Sequence, residues 1–85
     1  MIHYDVVSVT SLEHLRLAVC FADGLSGEVV FKESHLYGVF AALKDPNLFS
    51  AVRCDDGFVA WPGEIDIAPD AMYEGIKAHG TWVLA

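Results

Sequence analysis

Leu15-Arg16-Leu17-Ala18-Val19-Cys20-Phe21-Ala22-Asp23-Gly24 is the most regular stretch of the chain. Large apolar side chains at 15, 17, 19 and 21 alternate with Arg16 and the small Ala18, Cys20 and Ala22. A period of two is that of a strand with one buried face. Asp23-Gly24 then turns the chain, because glycine accepts a positive φ and an aspartate carboxylate can bond the backbone that follows it. Strands are expected on either side, a Val-rich one over 5–10 and another over 27–31. The first third therefore reads as an antiparallel meander.

Further along the period changes. Leu36, Val39, Phe40 and Leu43 stand at i, i+3, i+4 and i+7, the stripe of a helix, with Ser34 as its expected N-cap. Asp45-Pro46 should stop it, since the residue before proline is pushed out of the helical region. Two short strands are expected over 49–54 and Phe58–Trp61, separated by the turn signal Asp55-Asp56-Gly57 and ended by Pro62-Gly63. A second helix should start at Pro69, with Asp70 at its positive end, Lys77 and His79 at its negative end, and Gly80 as C-cap. Pro69, Met72, Tyr73 and Ile76 give its buried stripe. The expected order is β-β-β-α-β-β-α, an α+β fold in which two helices cover a mainly antiparallel sheet. The apolar tail, 81–85, should pack back on the domain or on a neighbour.

Eighty-five residues suit one domain, spanning 1–85. With 54% hydrophobic and 20% charged residues, the chain can bury enough apolar surface to offset its ordering entropy, which excludes disorder. So small a domain leaves much of its surface unburied, and the apolar excess points to a second copy or another partner. Five Lys and Arg against twelve Asp and Glu give a net charge of −7. Scattered cations argue against direct nucleic-acid binding and against an anionic membrane surface, while a small basic protein remains a fitting partner. Met1-Ile2-His3-Tyr4-Asp5 lacks the basic start and apolar run of a secretory peptide, and the apolar run 36–43 is far shorter than the roughly 20 residues of a membrane span. A cytoplasmic protein is expected, in which Cys20 and Cys54 act as small apolar fillers without a disulfide.

The densest polar cluster is Glu64, Asp66, Asp70 and Glu74. If these carboxylates converge they could hold Mg²⁺ or Ca²⁺, or raise one carboxyl pKa for acid–base work. In the alternative, Asp66 bonds the backbone at the helix entrance, Asp70 complements the dipole, and Glu64 and Glu74 are solvated. No calcium-hand spacing is present, and no cofactor is expected. Zinc would need His14, Cys20 and Cys54 drawn together from distant segments. Nucleophile elbows and phosphate-cradling loops are absent, so no catalytic residue is assigned. Trp61 beside Pro62-Gly63 and Tyr73 one helical turn after Pro69 either close the edge of the core or, with Asp66 and Asp70, line a binding site for a small ligand or metal.

The run Trp61-Pro62-Gly63-Glu64-Ile65-Asp66-Ile67-Ala68-Pro69-Asp70-Ala71-Met72-Tyr73 resembles the ending of small bacterial proteins grouped as domain of unknown function 2442. Leu15-Arg16-Leu17 leading to Phe21-Ala22-Asp23-Gly24, then Val39-Phe40, Leu43, Pro46, Phe49 and Val52, extend the resemblance over nearly the whole chain. Glu64 after Gly63 and Met72 in place of the usual leucine depart from the family's pattern. The resemblance implies no activity and no catalytic residue. It implies an antitoxin-like or regulatory protein that binds a partner protein, whose recurrent Asp66, Pro69, Asp70 and Tyr73 cap and pack the last helix.

Overall fold

A computed structural model describes residues 4–85. Met1, Ile2 and His3, read above as the start of the chain, lie outside the described residues. In chain order come β1 (Val6–Ser11), β2 (Arg16–Phe21), β3 (Ser26–Phe31), 3-10 segments at Glu33–His35 and Gly38–Lys44, α1 (Pro46–Phe49), β4 (Arg53–Asp55), β5 (Phe58–Trp61), β6 (Ile65–Ile67), α2 (Pro69–His79) and β7 (Thr81–Leu84). The fold is α+β, with its strands in two sheets.

The alternating stretch becomes the second strand of a four-stranded sheet ordered β1-β2-β3-β7. β1, β2 and β3 form the expected antiparallel meander, in which Leu17 faces Val29 and Val19 faces Val9. The tail does pack back, as a strand parallel to β3 with Val30 opposite Val83. Leu17, Val19, Phe21, Val29 and Phe31 point into the core. By the same alternation Arg16, Ala18, Cys20, Glu28, Val30 and Val83 lie on the outer face, half-buried or exposed. There Arg16 Nε donates to Glu28 Oε1 at 2.6 Å.

Leu15 is the exception to the alternating pattern. It precedes the strand, at φ +68° in the turn between β1 and β2. A left-handed leucine costs about 1–2 kcal/mol, and its side chain offsets this by packing against the core.

β4, β5 and β6 form a second, three-stranded antiparallel sheet. Its third strand was not foreseen, because Pro62-Gly63 read as an ending when it is the turn into β6. Val59, Trp61, Ile65 and Ile67 complete the core from this side. The two sheets meet where Val6 N donates to Gly57 O at 3.0 Å and Cys54 Sγ donates to Val6 O at 2.7 Å.

The helix expected over the Leu36–Leu43 stripe is replaced by two 3-10 segments. Leu36 and Tyr37 leave helical backbone geometry, and Gly38 sits at φ +60°. Three residues per turn put Phe40 and Leu43 on one face and rotate Val39 off it; Leu43 is fully buried whereas Val39 is 68% exposed. Ser34 lies inside the first 3-10 segment and makes no side-chain cap. Asp45 ends the second segment and caps α1 instead, its Oδ1 accepting from Asn47 N at 2.9 Å. Phe49 belongs to α1, so the strand expected over 49–54 begins only at Arg53.

Helix α2 runs from Pro69 to a left-handed Gly80 as expected. Met72, Tyr73 and Ile76 are its buried residues. It lies so near the sheet that a methyl group on Gly27 would come within 2.5 Å of both Gly80 O and Ile76 Cγ2. One on Gly75 would come within 2.5 Å of Trp82 Cδ1. Gly27→Ala should therefore lose about 1–3 kcal/mol of unfolding free energy in urea, as overpacked positions do, against less than about 0.5 kcal/mol for the exposed neighbour Ser26→Ala. Equal losses at the two positions would contradict this packing.

Candidate functional site

The sequence pointed to Trp61, Asp66, Asp70 and Tyr73, and the fold divides them between core and solvent. Trp61 ends β5 and is 1% exposed. Its indole lies 5.9 Å from the Phe31 ring and 5.8 Å from that of Phe49, and its Nε1–H donates to Phe49 O at 2.9 Å. Of the two readings of Trp61, this is the one in which it closes the core: the hairpin of β5 and β6 turns the ring inward, where its one polar atom is satisfied. Asp66 sits between buried Ile65 and Ile67 in β6 and faces solvent.

Glu64 adopts φ +63° in the turn before β6, so Glu64 and Asp66 do not share a strand face. The residue that caps α2 is Ala68, without any side-chain bond. Asp66 therefore does not close the helix entrance as expected. Asp70 is exposed in the first turn of α2, where the helix dipole favours it. Glu74 is engaged elsewhere, its Oε1 accepting from the Tyr4 hydroxyl at 3.2 Å. Among the described residues no three His, Cys, Asp or Glu side chains converge on a position for a metal ion. His14 packs edge-on against Phe49 at 5.6 Å, and Cys20 and Cys54 are free thiols.

Tyr73 does organise a cluster, with a partner that the reading of Asp23 as a turn residue missed. The Tyr73 hydroxyl donates to Asp23 Oδ2, while Asp23 Oδ1 accepts from Leu25 N at 2.9 Å. One carboxylate thus shapes the β2–β3 turn and holds α2 against it. The Tyr73 ring stands edge-on to Phe21 and to Tyr4, each at 5.0 Å, and Lys77 Nζ lies 5.9 Å from its centroid. The only hint in the sequence was that Asp23 and Tyr73 each ended or lined a well-patterned element, which says nothing about their pairing.

This geometry sets the protonation states. The hydrogen bond from Tyr73, with the Leu25 amide, holds the Asp23 carboxyl below the usual carboxylate range. The same bond, then burial, raises the Tyr73 phenol. Burial, then Glu74, raises the Tyr4 phenol. Chemically the cluster joins an ionised acceptor to protonated donors, which suits bracing more than proton transfer at neutral pH.

A family model described as "Protein of unknown function (DUF2442)" matches residues 6–78 of the 85. The chain belongs to the DUF2442 family. No curated protein and no solved structure matches it. The matched span includes Asp23 and Tyr73, the two partners of the brace, and Trp61; Tyr4 lies before it.

Folded, Asp23 binds its proton less readily than in the unfolded chain. Its stabilisation is complete above about pH 4 and is lost as pH falls through the lower folded value. Tyr73 holds its proton more tightly when folded, so its contribution is complete below about pH 10 and is lost as pH rises towards the higher folded value. Urea unfolding across pH should show a plateau with both limbs. Tyr73→Phe should make both limbs shallower, the alkaline one because the phenol is gone and the acid one because Asp23, without its main donor, titrates nearer to its unfolded value. A variant profile that runs parallel to the wild type throughout would exclude the brace.

Proposed function

We propose that this DUF2442 protein is a small cytoplasmic interaction protein, antitoxin-like or regulatory in character, that works by covering a partner's surface and not by catalysis. The observation that carries this reading is the apolar surface. Val7, Leu12, Tyr37, Val39, Phe58 and Val83 are between 43% and 70% exposed, on a chain carrying seven net negative charges. Isolated apolar residues are ordinary on a surface, yet Tyr37 and Val39 flank a single glycine and are both about 70% exposed. Aromatic side chains of this kind anchor protein interfaces. The net charge favours a partner that is basic, or a second copy meeting this one away from its acids; it disfavours nucleic acid and anionic membrane. Among the described residues no helix is long and apolar enough to cross a membrane.

The test is co-expression with the product of the adjacent gene, followed by size exclusion. Co-elution in one complex, weakened by Tyr37→Ala or Val39→Asp, is the expected result. Separate elution of the two proteins, each as a stable monomer, would count against the proposal.

A further inference from the structure

The four-stranded sheet has two edges, and they differ. β1 carries a register irregularity between Val6 and Ser8, and its start is joined to the second sheet through Gly57 and Cys54. At the other edge, Gly80 O and Leu84 O accept from Glu28 N and Lys32 N at 3.3 and 2.8 Å. Backbone groups of successive strand residues point to opposite sides. Gly80, Trp82 and Leu84 therefore turn theirs towards β3, and Thr81 and Val83 turn theirs to the open edge. Natural sheets blunt such an edge with charge, proline or a bulge, and Thr81-Trp82-Val83-Leu84 has no charge and no proline. Among the described residues the edge-facing N–H and C=O groups of Thr81 and Val83 have no hydrogen-bond partner, and what fits them is another extended backbone.

Charge selects the strand that comes. Residues 75–85 hold Lys77 and His79 and none of the twelve acids. The acid that faces β7 in the ladder, Glu28 opposite Thr81, is held by Arg16 Nε at 2.6 Å, so two copies can meet along β7 without opposing free carboxylates, while Lys77 is drawn to the acidic remainder of the other copy. His35 Nδ1 lies 3.4 Å from Ala85 O, which bounds the free edge beyond Val83. We propose, building on the interaction reading above, that β7 pairs antiparallel with β7 of a second copy about a two-fold axis at Val83. Val83 of each copy exchanges both backbone hydrogen bonds with the other, and two four-stranded sheets become one of eight. A two-fold axis makes every contact twice.

So short an edge makes an interface at the small, transient end of the range. The measurement is therefore sedimentation velocity from about 10 μM to about 1 mM, with amide hydrogen exchange of the peptide covering 80–85. Wild type should shift from monomer to dimer across that range, and exchange in the peptide should slow by several-fold as it does so. Val83→Pro removes an N–H that β3 does not use, and Val83→Lys places a charge on the edge. Both should stay monomeric, and Ala51→Lys, at an exposed site outside this sheet, should dimerise as wild type does. If Val83→Pro fails to fold, Val83→Lys decides. A wild type that is monomeric at every concentration, or Val83 variants that still dimerise, overturns the proposal. Either result with co-elution of the adjacent gene product intact would reject the β7 pairing and leave the interaction reading standing.

Discussion

Between strand β3 and helix α2 there is no room for a methyl group. Gly27 faces Gly80 O and Ile76, and Gly75 faces the Trp82 ring. That closeness lets Ile76 and Met72 fill the centre of the core, and it places Gly80 where the chain can reverse into β7 beside β3. The Tyr73–Asp23 bond holds the same helix one turn before Ile76, against the β2–β3 turn. One helix thus joins the meander to the final strand, and its two glycine contacts decide the spacing. Helix propensity has little part in this, since a mid-helix glycine costs about 1 kcal/mol relative to alanine.

The elements that could be read in the sequence were those in which local pattern and tertiary role agree. The β1–β3 meander and α2 have a clean period, a turn or cap at each end, and charges placed to suit. The Leu36–Leu43 stripe misled because a four-residue spacing fits an α-helix and a three-residue one fits a 3-10 turn, and Leu36, Val39, Phe40 and Leu43 contain both. Which applies is settled by Gly38 at positive φ and by the core's need for Phe40 and Leu43, and neither is a local property. β6 was hidden by Pro62-Gly63, which marks a turn equally well before a strand or before a loop. Asp23 and Tyr73 are fifty residues apart, and no periodicity spans such a gap.

Of the side chains that looked most like a site, Trp61 and Tyr73 have architectural partners, whereas Asp66 and Asp70 face solvent. Trp61 closes the second sheet over Phe31 and Phe49, Tyr73 ties down α2, and Asp66 stands alone on its strand. A residue of recognisable chemistry in a small domain often has this fate, because there are few other side chains to satisfy buried donors and turn geometry. Large apolar side chains remain on the surface among these acids, Tyr37 and Val39 the most exposed of them.

The parallel pairing of β3 with β7 has a kinetic side. Glu28 and Thr81 are partners in the ladder, although most of the chain's length lies between them. Hairpin turns close the meander in microseconds, whereas closing a loop this large costs entropy before any contact repays it. Until α2 docks, the edge of β3 is bare, and Val29, Val30 and Phe31 are open to any strand that arrives first. The window between the early meander and the late final strand is when a crowded nascent chain is most exposed to wrong pairing.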